Sequence, residues 1–272
     1  MSFTQTNTNG VVFHTADAFT AAGGVRHGFA SRLGGVSPAP WDSLNISLSR
    51  GDEPRRVREN YRRLCAALGT DEHCIAMTRQ VHSDFIRPVG RKDALQDPLD
   101  PLDADADGLI TNQPGVCLTI FYADCVPVLL YDPKGKVIAA VHSGWRGTSL
   151  AIAAKAAKKM VEGYASKPED ILAAIGPAIG PCCFETHSDV PDALRERLGD
   201  GVSPYMQVKQ DVPGKFSVDL KGIIRWELEN AGLVPAHIDT LPLCTCCARD
   251  LYWSHRRQGG ERGNHAAMLQ LA

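Results

Sequence analysis

No apolar run in this chain is long enough to cross a membrane. The most hydrophobic stretch, Val116 to Tyr131, is interrupted by Asp124 and Pro127, whereas a spanning helix needs about 20 consecutive apolar residues. The N-terminus, MSFTQTNTNG, lacks a basic segment followed by an apolar one. A secretory signal is therefore not expected, and a cytoplasmic location is. Net charge is also nearly absent: 29 Lys and Arg against 31 Asp and Glu leave −2. That balance gives no electrostatic reason to expect nucleic acid or an anionic membrane as a partner. Internal repeats and low-complexity tracts are missing too, so nothing points to a repeat array.

Cysteine, by contrast, is abundant, with nine residues in 272. A disulfide framework requires export, which nothing in the sequence supports. In a reducing compartment such cysteines serve as buried small apolar groups, metal ligands or nucleophiles. The length suffices for one large core, and the expectation is a single domain over residues 1–272. The Asp- and Pro-rich segment Arg91 to Ala106 reads as a long surface loop within it.

Periodicity predicts helices over Pro54–Leu68, Thr148–Tyr164 and about Val218–Asn230. Asp52 and Ser217 are candidate caps, and Gly69 and Gly232 candidate stops. Strand character recurs in Val25–Phe29, Gly115–Tyr122, Val126–Tyr131, Val137–His142, Ile171–Ile175 and Ala266–Leu271. The fold class expected is α/β, a mixed sheet flanked by helices.

Three polar residues stand where the chain otherwise reads as core or leaves it. Cys125 lies between two apolar strands. His142 ends the run Val137-Ile-Ala-Ala-Val and precedes Ser-Gly-Trp-Arg-Gly-Thr. His82 lies in Arg79-Gln-Val-His-Ser-Asp. Thiolate and imidazole both suit zinc, and catalytic zinc sites use three protein ligands with a fourth position open. The separations match no short zinc motif. A buried core cysteine with histidines serving backbone groups is the competing reading.

Several ordered segments resemble the laccase-domain family, formerly called multicopper polyphenol oxidases. They are Arg79-Gln-Val-His-Ser-Asp, Ala104-Asp-Ala-Asp-Gly-Leu, Ala123-Asp-Cys-Val-Pro-Val, Val141-His-Ser-Gly-Trp-Arg-Gly-Thr and Ile175-Gly-Pro-Ala-Ile-Gly. Ser31-Arg-Leu-Gly-Gly-Val-Ser, Ser43-Leu-Asn and Ser254-His-Arg-Arg also match. The resemblance implies a single α/β domain and a metal site of His82, Cys125 and His142, which are also the implied catalytic residues. It implies zinc-dependent phosphorolysis of adenosine, inosine and methylthioadenosine with inorganic phosphate, as in purine salvage, together with adenosine deamination. A peptidoglycan-editing role is attributed to some bacterial members. A monomer is expected. Copper is the less favoured ion: a laccase needs paired His-x-His ligands, and none of the nine histidines forms such a pair.

Other matched residues have physical readings of their own. Arg32 and Arg146, each beside glycines, are candidates for phosphate, combining a guanidinium fork with approachable backbone N–H groups. Asn45 is a candidate for a purine edge or ribose hydroxyl, or else a turn residue closing its own backbone. Trp145 either flanks the base or packs beneath its loop. Asp105 and Asp107 either orient a ligand histidine or shape the turn at Gly108. Asp124 points away from the site if Cys125 points into it along extended backbone. His255 is expected near the pocket mouth.

Cys182, Cys183, Cys244, Cys246 and Cys247 invite a second zinc. Adjacent cysteines rarely share one tetrahedral ion, however, so packing near the active site is the reading here. Two other function classes compete. One is a cysteine hydrolase or peptidoglycan-editing factor with Cys125 as nucleophile and His142 as base. The other is a nucleoside-binding module without turnover.

Overall fold

The computed structural model describes residues 2–272. Two six-stranded sheets pack face to face, and helices cover the outer face of each. The α/β class with helices flanking mixed sheets is as expected, but one sheet is corrected to two, with a small third. The reason lies in the alternation of side chains along a strand. In Val126–Asp132, Val126, Val128 and Leu130 face the helices. Leu129 and Tyr131 face the other sheet. A strand with helices on one face and a second sheet on the other reads as apolar on both, like the centre of a single sheet.

The first sheet runs in the spatial order Phe3–Thr8, Val11–Ala16, Val25–Ala30, His265–Leu271, Cys117–Tyr122, Ile75–Ala76. The second runs Ile238–Thr240, Leu172–Ile175, Val126–Asp132, Val137–Ser143, Gly108–Thr111, Ile86–Pro88. Glu185–Thr186, Phe216–Val218 and Met206–Val208 make the third. Pairing is mostly antiparallel, with parallel pairs at sheet edges such as Ile86–Pro88 with Gly108–Thr111. The six expected strands are all present within a few residues. The hairpin Phe3–Thr8/Val11–Ala16 and the strand Gly108–Thr111 were not anticipated.

Helix Pro54–Leu68 has the expected bounds and lays Val57, Tyr61, Leu64, Cys65 and Leu68 against the first sheet's outer face. The expected cap, Asp52, is corrected: Glu53 holds the cap position without a side-chain cap bond, Asp52 accepts only the adjacent Glu53 N–H at 2.7 Å, and Gly69 ends the helix in the left-handed region at φ 72°. The expected helix Thr148–Tyr164 is two helices, Trp145–Ser149 and Ile152–Tyr164. Ala151 between them sits at φ 53°, a conformation that costs an L-residue about 1–2 kcal/mol. The break lets Ile152, Ala153 and Ala156 face the second sheet while Trp145 and Arg146 stay at the cavity described below. The third helix starts later than expected, at Leu220. Its cap is Asp219, which accepts from Gly222 N–H, while Ser217 lies in the third sheet. No helix of the described residues is long and apolar enough to cross a membrane.

Cys125 and His82 lie in segments that pass from the first large sheet to the second, and His142 in a strand of the second. Cys125 lies in the turn by which the chain leaves Cys117–Tyr122 and enters Val126–Asp132. His82 lies between Ile75–Ala76 of the first sheet and Ile86–Pro88 of the second. His142 stands near the end of Val137–Ser143, directly opposite Pro127 in the strand that follows Cys125.

Candidate metal centre

His82, Cys125 and His142 come together with one donor atom each, all within 4.8 Å of one another. A tetrahedral ion with bonds of about 2.0–2.3 Å places its donors roughly 3.3–3.8 Å apart. His82 Nε2 stands 3.8 Å from Cys125 Sγ. The imidazoles of His82 and His142 meet edge to face at 5.0 Å. One thiolate and two imidazoles form a donor set that fits zinc. Gly144 makes the approach possible: a Cβ there would lie 2.9 Å from His82 Cδ2 and 3.0 Å from Cys125 Sγ.

Asp107, buried, organises this cluster. Its Oδ1 accepts from His142 Nδ1 at 2.9 Å, which leaves the other ring nitrogen to face the site. The same carboxylate accepts the backbone N–H groups of Val81, His82 and Ser83 and the Ser83 hydroxyl. One side chain thus aims one candidate ligand and ties down the loop carrying another. His82 is held at φ 61°, where the backbone of a non-glycine residue is strained. Gln80 adds a second tether, exchanging two hydrogen bonds with the backbone of Phe121 at 2.6 and 2.8 Å. Asp107→Asn would set an N–H group against those donors. It is expected to weaken zinc affinity about 10–100-fold, as measured by competition with a chromophoric chelator.

Electrostatics favour the thiolate form of Cys125 and, without an ion, draw a proton onto His142 that a bound cation would displace. Burial alone would raise the Cys125 thiol, but the imidazoles of His142 and His82 outweigh it and bring the thiol down to about 6. Burial would depress His142, yet Cys125 and Asp107 raise it to about 9. Burial pushes Asp107 up, while His142 and Ser83 hold it down at about 2. Asp124, before Cys125, has φ 89° and accepts from Thr245 Oγ1, Ser254 Oγ and the Arg256 N–H. Its carboxylate is engaged in bracing the turn that presents Cys125.

The cluster opens on a cavity of about 770 Å³, a volume in the range of small-molecule sites. Met77, Leu102, Phe121 and Trp145 supply apolar wall, and Arg50, Arg79, Arg146, Arg256 and Arg262 reach it as cations. Of the sequence candidates, Arg146 lines the cavity, with its guanidinium 4.3 Å over the Trp145 ring. His255 lines it as well.

Neither Arg32 nor Asn45 lines the cavity. Arg32 is bound to Asp42 through an ion pair at 2.7 Å and a backbone contact at 2.8 Å, and it lies over Trp253. Asn45 is fully buried, and its amide is saturated by Ser47, Asp52 and the Asn264 N–H. It is the turn residue of the alternative reading, fixing the segment that carries Ser47 to Arg50 into the wall. Of the two aspartates, Asp107 orients a histidine, whereas Asp105 pairs with exposed Arg79. His265 is structural: Nε2 accepts the Trp253 N–H, and burial depresses the ring to about 3.

Sequence reasoning missed Arg50 and Arg262. Arg262 is 5% exposed, and its Nη1 donates to Gly263 O at 2.9 Å and to Asn264 Oδ1. The Nε atoms of both arginines are buried without a partner. Burial first, and the charge of Arg50 second, lower Arg262 to about 10. Two like charges therefore stand close together at one cavity.

Residues 26–272 match the family described as multi-copper polyphenol oxidoreductase laccase. The chain is 36% identical over 245 residues to the purine nucleoside phosphorylase YlmD of Geobacillus stearothermophilus, covering 89% of this chain and 88% of that protein. It is 33% identical over 246 residues to the protein of the same name from Bacillus subtilis, covering 90% and 87%. The fold superposes on the crystal structure of the hypothetical protein YfiH of Bacillus licheniformis with a TM-score of 0.89. There the identity is 32%, and 97% of each chain is covered.

Proposed function

The chain belongs to the multi-copper polyphenol oxidoreductase laccase family, and from that premise we propose that it is a zinc-dependent purine nucleoside phosphorylase with adenosine deaminase activity. The observation that carries the reading is the His82–Cys125–His142 cluster, oriented by Asp107, beside a cavity furnished with unspent arginines. The names of its relatives support the phosphorylase part.

In this reading His82, Cys125 and His142 hold the ion. Zinc, when bound, supplies a Lewis acid that stabilises negative charge on a reacting oxygen. Arg262 and Arg50, together with Arg146, hold inorganic phosphate. Trp145, Phe121 and Met77 pack against the purine and exclude water. In phosphorolysis a phosphate oxygen bonds to the anomeric carbon as the glycosidic C–N bond breaks. Positive charge develops on the ribose, so the held phosphate stabilises the transition state as well as attacking it.

A second reading has one specific observation in its favour. Cys125, His142 and Asp107 also stand in the order nucleophile, base, orienting carboxylate, as in cysteine hydrolases. One experiment separates the two. The protein is incubated with adenosine and phosphate, and the products are chromatographed beside a His142→Ala control. Adenine with ribose 1-phosphate, and inosine as a second product, are expected. Both should vanish on chelation and return with zinc. A metal-free preparation that is fully active, and is inactivated by alkylation of Cys125, would establish the hydrolase instead. Binding without any product would leave only the nucleoside-binding module.

A further inference from the structure

We propose that Cys182, Cys183, Cys244 and Cys247 form a second, mononuclear tetrathiolate site for zinc, distinct from the His82–Cys125–His142 centre. The four Sγ atoms lie within 4.8 Å of one another. Cys182 Sγ is 3.6 Å from Cys247 Sγ, and Cys183 Sγ is 3.4 Å from it. With Zn–S bonds of about 2.3 Å, a tetrahedron has edges of about 3.8 Å. The sulfurs therefore stand near the spacing that one ion imposes. They are too close together to surround a multi-iron cluster. No pair is at bonding distance, and all nine cysteines are free thiols.

The sequence argument against this site was the adjacency of Cys182 and Cys183. The backbone removes it. Pro181 to Cys183 form a tight turn in which the N–H groups of Cys183 and Phe184 both donate to Gly180 O, at 3.0 and 2.9 Å. Both neighbouring side chains then reach the facing loop, where Cys244 and Cys247 supply the usual Cys-x-x-Cys bite.

The surroundings match the charge of four thiolates on a dication, formally −2. The Gly180 N–H donates to Cys244 Sγ at 3.2 Å. Lys221, buried, anchors its Nζ on Leu241 O and Leu243 O, the backbone leading into Cys244. Arg256 Nη1 donates to Cys183 O at 3.0 Å. Hydrogen bonds and cations around the sulfurs are what a thiolate-held metal requires of its outer contacts.

The site would join two loops that matter to the cavity. Phe184, next to Cys183, lines it. Thr245, next to Cys244, donates to Asp124, which braces the turn of Cys125. The ion would act as a staple behind the catalytic centre, and it is independent of which reaction that centre performs.

Protein purified under reducing conditions and measured by elemental mass spectrometry should hold two zinc ions per chain. His82→Ala/His142→Ala should hold one, and Cys182→Ser/Cys247→Ser should also hold one. Cobalt loaded into His82→Ala/His142→Ala should give the near-ultraviolet charge-transfer bands of a tetrahedral thiolate complex, which keeps all four cysteines native in the test. A single zinc in the unmodified protein that disappears in His82→Ala/His142→Ala but stays in Cys182→Ser/Cys247→Ser overturns the proposal. So does loss of all zinc in His82→Ala/His142→Ala, a disulfide among these cysteines in place of metal, or bound iron in their stead. A single zinc with the opposite pattern leaves this site standing and empties the other.

Discussion

Cys125→Ser is expected to slow adenosine phosphorolysis by about 10³-fold or more, since a Lewis acid contributes several kcal/mol to the transition state and each 1.36 kcal/mol is tenfold. The same variant should lose one zinc per chain and keep the ion held by the cysteine cluster. The argument rests on the donor set. Serine is nearly the shape of cysteine, but its hydroxyl stays protonated near neutrality. The Cys125 thiol is instead drawn down to about 6 by the flanking imidazoles, against the effect of burial. Replacing it removes the anionic ligand without opening a large void, so the fold should survive and the melting temperature report that. Cys183→Ser is the companion control, because it leaves the three-ligand set intact. A Cys125→Ser protein that retains both its zinc and its rate would remove the sulfur from the mechanism.

How far this centre was legible depends on the kind of signal each residue leaves. His142 announces itself, because an apolar strand ends on it and a glycine-rich segment follows. Cys125 does so by sitting between two buried strands. Asp107 was visible only as one of two aspartates near a turn. Nothing in sequence says that its carboxylate collects three backbone N–H groups and an imidazole, since those partners lie 24 to 35 residues away. Arg32 and Asn45 illustrate the converse. A recognisable segment marks a residue as needed without telling whether it touches ligand or holds the scaffold. Both hold scaffold, Arg32 through Asp42 and Asn45 through Asp52.

The second sheet was hidden because a strand between two packed layers has the same apolar pattern whether its neighbours are helices or another sheet. The N-terminal hairpin was legible after all. Asn9-Gly10 occupies its turn with positive φ at both residues, the arrangement that asparagine–glycine pairs favour between strands.

Arg262→Met should raise the KM for phosphate about 10–100-fold, the loss of hydrogen bonds to a charged group at roughly 1.5–3 kcal/mol. Adenosine deamination should be nearly unchanged, because no phosphate takes part in it. That split identifies an anion contact. A purely structural arginine, through its contacts to Gly263 and Asn264, would move both reactions together. Methionine keeps the apolar stem and removes the charge, and Arg262→Lys should recover part of the phosphate affinity.

The physical basis is the unfavourable position of the free side chain. Burial and the neighbouring charge of Arg50 both oppose ionisation, yet at about 10 the group remains a cation at neutral pH. A phosphate arriving in the cavity would relieve both penalties. Phosphate should therefore also raise the melting temperature of the unmodified protein more than that of Arg262→Met, by linkage of binding to folding. Equal KM for phosphate in the two proteins, or a parallel fall in deamination, would place the anion elsewhere in the cavity.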